Sequence, residues 1–151
     1  MEILFEPVAH TNRTEAEELR VAPGQEHCVE SVADCLREAD EIPAWRPVRM
    51  LDGNQPVGFA MYGYWESEGR LWLDRYLIGH HFQGRGYGRA CLSALLEHLE
   101  LEYGRQPVYL SVYGDNHPAI RLYESFGFCF NEETDINGEL VMVRAANMQP
   151  E

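Results

Sequence analysis

At 151 residues the chain has the length of one domain with a real core, and 25 acidic against 12 basic side chains give it a formal net charge of -13. That balance argues against nucleic acid as a partner and favours cationic ligands, although an acidic excess also keeps a surface hydrated. Every basic residue is arginine, no run of about 18 apolar residues offers a membrane span, and the start MEILFEPVAH lacks the basic-then-apolar pattern of a signal peptide, so a soluble cytoplasmic protein is expected.

Residues 2–8 alternate well enough for a first strand, and TEAEELR (Thr14 to Arg20) offers a threonine cap and a short helix before Pro23-Gly24 breaks the chain. A second helix fits residues 26–40, with Val29, Val32, Cys35, Leu36 and Ala39 as its apolar stripe. On that helix Glu30, Asp34 and Glu38 repeat at i, i+4, i+8, which makes either a solvated face or a wall that attracts a polycation. After a loop around Pro43 to Pro47, RPVRMLD and QPVGFAMYGYWE read as strands joined by a tight turn at Asp52-Gly53-Asn54. A turn at Ser67-Glu68-Gly69 leads to the strand Leu71 to Ile78. A glycine-rich turn, Gln83 to Gly88, then opens into a helix with Leu92, Leu95, Leu96 and Leu99 on one face. PVYLSVY is a fifth strand, DNHPAIRLYESFGF holds a short helix ending near Gly127, and two last strands form a hairpin over Asn137-Gly138. The order predicts an α/β (α+β) domain over residues 1–147, a mixed sheet of about seven strands flanked by about four helices, with 148–151 a frayed tail. Cys28, Cys35, Cys91 and Cys129 show no CxxC spacing, and on one helix Cys28 and Cys35 would lie roughly 10 Å apart, so free buried thiols are expected.

The stretch from 71 to 103 carries the chemistry. Gly84, Gly86 and Gly88 let backbone N–H groups converge on one point, where the helix dipole, Arg85 and Arg89 add attraction for a phosphate. A P-loop needs a lysine after its last glycine, and the chain has no lysine. The dinucleotide fingerprint needs a third glycine where Arg89 stands and an acidic strand end about 20 residues on, where VYLSVY is found instead.

QGRGYG followed by a helix resembles the Q/RxxGxG/A pyrophosphate loop of the GNAT superfamily of acetyl-CoA-dependent N-acyltransferases, and GDNHPAIRLYESFGF resembles that family's NxxAxxxYexxGF segment, with Asn116, Ala119, Tyr123, Gly127 and Phe128 in place. The element order is similar to the whole GNAT layout. Within the family, VGFAMYG, WLDRYLI, QGRGYG, AIRLYESFGF and NGELVMV resemble segments of bacterial spermine/spermidine N-acetyltransferases.

The resemblance implies acetyl-CoA as co-substrate, without a metal. Backbone groups of Tyr76, Leu77 and Ile78 would take the pantetheine arm with Asn116, and those of Gln83, Gly84, Arg85, Gly86, Tyr87, Gly88 and Arg89 the pyrophosphate. An alkylammonium with a pKa of about 10.4 is neutral in roughly one molecule in a few thousand at pH 7, so a proton acceptor beside it matters. Asp74 is the candidate: by the period of two, Trp72, Asp74, Tyr76 and Ile78 share one strand face, and the position matches an acidic residue of polyamine acetyltransferases. It acts directly or through a water; the competing reading is a pair with a nearby arginine. Tyr123 matches a tyrosine whose hydroxyl faces the coenzyme sulfur, against the alternative of a core tyrosine.

Glu30, Asp34 and Asp74 would line a path for a polyamine, with Trp45, Tyr62 or Tyr64 offering aromatic faces to its ammonium groups. His80, His81 and His117 lack ligand spacing and read as loop residues. The function expected is direct acetyl transfer to a primary amine of a polyamine in a ternary complex. The alternatives are another cationic amine (an aminoglycoside or a peptide N-terminus) or a non-catalytic acetyl-CoA-binding module. The open edges of the sheet, which relatives use for pairing, leave a homodimer as an option.

Overall fold

In a computed structural model, which describes residues 1–26 and 30–146, the chain opens with strand β1 (Ile3–Pro7). Helices α1 (Arg13–Glu17) and α2 (Val32–Glu41) follow, then the antiparallel strands β2 (Arg46–Asp52), β3 (Gln55–Trp65) and β4 (Arg70–Ile78). A single 3-10 turn, His80–Phe82, precedes α3 (Tyr87–Tyr103); β5 (Val108–Val112), α4 (His117–Ser125), β6 (Phe128–Thr134) and β7 (Leu140–Arg144) complete the order. The strands form one seven-stranded sheet in the order β1-β2-β3-β4-β5-β7-β6, antiparallel throughout except for β4 with β5. None of the described helices is long and apolar enough to cross a membrane.

Each sheet face buries its own core. On one, Leu92, Leu95, Leu96 and Leu99 of α3, Tyr123 of α4 and Phe126 just after that helix pack with Val57, Leu71, Leu73 and Leu110 of the sheet. On the other, Ala16, Val32, Cys35 and Leu36 of the first two helices pack on Trp45, Phe59, Met61 and Leu77. The long apolar stripe of α3 explains its burial, since every fourth or third position is a leucine that leaves water. Cys35 and Cys91 are buried thiols as expected, but Cys129 is exposed on the edge strand β6; Cys28 lies outside the described residues, as does the tail at 148–151.

Two helix starts differ from the expectation. Thr14 is not a cap: α1 begins at Arg13 behind Asn12, whose side chain accepts from the N–H of Ala9 at 2.8 Å and so ties the preceding turn. α2 begins at Val32 rather than near residue 26, because Ser31 takes the cap position and its Oγ accepts the N–H of Asp34 at 3.1 Å. Glu30 therefore stands before the helix, and the stack of Glu30, Asp34 and Glu38 on one helical face does not form.

Two features of β4 position the site. Its register with β3 steps from Met61↔Arg75 to Tyr62↔Leu73, which leaves Asp74 as the extra residue of a β-bulge. The strand turns over there. Leu71 and Leu73 belong to the α3/α4 core and Trp72 packs on the opposite face, whereas beyond the bulge Tyr76 and Ile78 pack against the α3/α4 core and Leu77 is in the other. The expected common face of Trp72, Asp74, Tyr76 and Ile78 is thus broken, because strict alternation fails across one inserted residue. The second feature is the short ladder between β4 and β5, which holds only Leu71↔Val108 and Trp72↔Tyr109. Past that point β5 pairs with β7 alone, and a gap opens between the two parallel strands.

Candidate active site

The glycine-rich loop connects the end of β4 to α3 as the spacing predicted. Gly84 and Gly86 sit at φ +77 and +85, in the left-handed region that other residues reach only with strain, and Gly86 occupies the N-cap of α3. No side chain caps that helix, and its first internal bond is the N–H of Ala90 to the carbonyl of Gly86 at 3.1 Å. The N–H groups of Tyr87 and Gly88 in its first turn therefore have no acceptor within the helix, which leaves them for an anion. A Cβ at Gly84 would meet no atom within 4 Å, so the loop lies open.

The rest of the loop is anchored. The hydroxyl of Tyr87 donates to Asp52 at 2.6 Å, and that of Tyr76 donates to the carbonyl of Gly88 at 2.5 Å, tying the strand end to the helix start. Gln83 donates to the carbonyl of Ile78 and to Gln25, both at 3.1 Å, so its side chain closes the strand end. Arg85 lies over the ring of Phe82 at 5.7 Å, and Arg89 donates to Ser125 at 3.1 Å while stacking on Phe126 at 5.4 Å.

The gap between β4 and β5 forms a cavity of about 220 Å³, linked to the loop through Tyr76. Asp74, Tyr76, Asn116, Ala119 and Tyr123 line it, so the two catalytic candidates and two predicted arm-binding residues, Tyr76 and Asn116, meet there. Asn116 is the N-cap of α4 and makes no side-chain cap bond, which keeps its amide available. Tyr123 is buried against Tyr76 and Phe128, at ring separations of 6.5 and 5.8 Å. Burial, and then the nearby charge of Glu139, push its hydroxyl pKa up, so it keeps its proton at neutral pH.

Asp74 is buried enough that its pKa is pushed up to about 6; Arg75 opposes the rise, and Glu38 and Glu30 reinforce it. Its Oδ1 pairs with Arg75 at 3.1 Å, so the arginine partner considered from sequence is real, but its Oδ2 is buried with no hydrogen-bond partner. The same Arg75 reaches Glu30 at 2.6 Å and Glu38 at 3.7 Å. One cation therefore organises three carboxylates.

Other candidates are not assembled here. Asp34 pairs with Arg37 and lines a neighbouring groove along α2, which shares Glu30 with the cavity but does not contain Asp74. Trp45 and Tyr62 are buried away from the cavity, Trp45 in the α1/α2 core and Tyr62 hydrogen-bonded to His98 and Glu102; Tyr64 borders a separate groove beside Trp65 and Glu102. Their role as ammonium-binding faces is therefore not supported by this arrangement. Two participants escaped sequence reasoning: Arg75, hidden beside Asp74 by the bulge, and Glu139 on the last hairpin, which lines the cavity from the β5/β7 side. The NGE turn marked a hairpin, but nothing local shows that residue 139 meets Ser111, 28 positions away.

Residues 8–128 match the model described as the Acetyltransferase (GNAT) family. The chain belongs to the GNAT acetyltransferase family. Over 150 residues, covering 95% of this chain and 99% of the relative, it is 42% identical to a probable spermine N(1)-acetyltransferase of Bacillus subtilis subsp. natto. It is 41% identical over the same span to the spermine/spermidine N(1)-acetyltransferase of Bacillus subtilis. Among solved structures, an aminoglycoside acetyltransferase in complex with coenzyme A superposes with a TM-score of 0.78 at 20% identity, covering 95% of each chain. A chimeric spermidine N-acetyltransferase from Vibrio cholerae gives 0.74 at 19% identity, covering 97% of this acetyltransferase and 96% of the other chain. At those identities the likeness establishes the shared seven-stranded fold.

Proposed function

We propose that this acetyltransferase moves the acetyl group of acetyl-CoA to a primary amine of a polyamine, by direct attack with both substrates bound. The observation that carries the reading is the meeting of Asp74 and Tyr123 in one cavity whose Tyr76 is hydrogen-bonded to Gly88 in the first turn of an uncapped helix. The near full-length identity to two bacillary enzymes named for spermine supports the choice of amine.

The residues present fit the coenzyme. Its diphosphate would take backbone amides of the loop between Gln83 and Arg89, with the guanidinium groups of Arg85 and Arg89 on the same segment. Its arm would lie in the gap between β4 and β5, along the edge of Tyr76, Leu77 and Ile78 that β5 leaves unpaired, with Asn116 opposite. What it supplies there is an acyl thioester. A backbone N–H on the open edge of β4 would hold the carbonyl oxygen as negative charge develops on it.

This chain's side chains manage the protons. An arriving ammonium has to lose one, and the carboxylate of Asp74, which lines the cavity, accepts it directly or through a water. The gap between a carboxyl at about 6 and an amine at about 10.4 is wide in water, and burial of the cation narrows it from the amine side. Arg75 lies beneath this carboxylate and limits how far its pKa climbs. Tyr123, held in its neutral form by burial, donates a hydrogen bond to the departing sulfur and relays to it the second proton that the attacking nitrogen loses on becoming an amide, so that the phenol ends neutral. Glu30 stands at the mouth, where its charge attracts the rest of a polycation, and Asp34 extends the negative surface along α2.

A coenzyme-release assay over spermine, spermidine, diamines, an aminoglycoside and a peptide tests the proposal. Polyamines should show the highest kcat/KM. Preferential turnover of the aminoglycoside or the peptide would replace the substrate while keeping the reaction, and no release with any amine would leave a binding module.

A further inference from the structure

The glycine-rich loop is held from a hairpin that its own sequence does not contain. Asp52 closes β2 at the tight turn before β3, a place where an aspartate commonly bonds its own backbone. Here its oxygens reach elsewhere: Oδ2 accepts the hydroxyl of Tyr87 at 2.6 Å, and Oδ1 accepts the N–H of Glu2 at 3.3 Å. The turn is itself fixed, because Ile3 pairs with Asp52 and the N–H of Gly53 donates to the carbonyl of Glu2 at 3.1 Å. Asp52 is therefore a carboxylate on a fixed post, 35 positions from the phenol it holds.

Tyr87 is the first residue of α3, and its own N–H is one of those left without an acceptor in the helix. Its ring packs edge-on against Phe82 at 6.1 Å, and Phe82 in turn lies under Arg85 at 5.7 Å. One bond thus sets the side chain of Tyr87, the ring beside it and a guanidinium of the loop. The loop needs such a hold. Gly84 and Gly86 both have left-handed backbone; a Cβ at Gly84 would meet nothing within 4 Å, and one at Gly86 would meet the Met1 side chain at 3.8 Å. Glycines with so little around them have the most freedom to lose when a ligand orders them. A carboxylate one tyrosine away from an anion site also repels the ligand through space, so its benefit has to come through the bond.

We propose that Asp52 is a positioning residue for the coenzyme: by holding the Tyr87 phenol it keeps the first-turn amides of α3 converged before the diphosphate arrives. The inference rests on the diphosphate placement proposed above. It adds that the β2/β3 hairpin, as well as the glycine motif, sets coenzyme affinity.

Asp52→Ala should raise KM for acetyl-CoA about tenfold, the worth of a hydrogen bond to a charged group, while kcat at saturating acetyl-CoA and KM for spermine stay within about twofold. Tyr87→Phe should give the same change, and the double variant no more than either single one, because all three break one bond. Asp52→Asn keeps an acceptor for the phenol and should bring KM back to within about threefold of the wild type. The decisive comparison uses S-acetylpantetheine, which carries the thioester and the arm without the diphosphate. Its kcat/KM should be equal in wild type and Asp52→Ala, whereas that for acetyl-CoA falls about tenfold. Equal losses with both thioesters, as a general loosening of the fold would give, or additive losses in the double variant overturn the inference and leave the acetyltransferase reading intact. A wild type that takes up no coenzyme A in calorimetry overturns the diphosphate placement and the inference with it.

Discussion

Replacing Asp74 by asparagine is expected to stabilise the protein and slow it, with a gain in stability that depends on pH. The carboxyl has a pKa of about 6 in the folded chain and about 3.9 in the unfolded one, a difference of about two units. The folded state binds the proton more tightly, so the favourable contribution is fully present below about pH 3.9 and is lost as pH rises through about 6. Above that, holding the buried charge costs about 3 kcal/mol relative to a neutral group of the same shape. Asp74 is only 18% exposed, so solvent screens little of this. Asn cannot titrate. Urea unfolding of wild type and variant from pH 4 to 8 should therefore give equal stabilities at the acid end and a variant more stable by about 3 kcal/mol at the other, or about 6–12 °C in Tm for a chain of this size. Glu139 and the remaining titrating groups are common to both proteins and cancel. Turnover of amines should fall by about 10²–10⁴. A difference in stability that does not change with pH, or a variant less stable at pH 8, would refute the claim that burial of this carboxylate is what raises its pKa.

Other outcomes follow from the same geometry. Tyr123→Phe keeps the packing against Tyr76 and Phe128 but removes the proton donor, so kcat should drop by about 10²–10⁴ with KM for acetyl-CoA little changed in steady-state assays. Gly86→Val forces a branched side chain into a left-handed backbone at the cap of α3, and calorimetric titration should show coenzyme A binding weakened at least tenfold while amine binding persists. Arg75→Gln leaves three carboxylates around a neutral group: chemical denaturation should register a loss of about 3–5 kcal/mol near pH 7, and the acid limb of kcat/KM should move to higher pH as Asp74 loses the charge that held its pKa down.

Much of the site was legible because it depends on local signals. A run of β-formers, three closely spaced glycines and a leucine stripe specify strand, loop and helix without help from distant residues, and all three stand where the sequence put them. Asn116 and Tyr123 share one short segment whose helix delivers both to the cavity. The bulge at Asp74 was not legible, since an inserted residue is defined by pairing with Met61 and Tyr62 and leaves no mark within WLDRY. Its effect was to place Arg75 under the carboxylates. The start of α2 was readable in principle, because Ser31 with Asp34 three residues on is a cap signal, but the longer apolar stripe outweighed it. Trp45 and Tyr62 looked like ligand surfaces because aromatic residues serve both cores and sites; only packing shows that these two are spent on the core. Glu139 required knowledge that β7 lies beside β5.

The most direct measurement of the central claim is a crystal structure with coenzyme A and spermine bound together. The diphosphate should lie on the amides between Gln83 and Arg89, with a terminal nitrogen of spermine within hydrogen-bonding distance of Asp74 and the coenzyme sulfur beside the Tyr123 hydroxyl. A coenzyme seated elsewhere, or a spermine whose nitrogens all lie beyond reach of Asp74, would contradict the account.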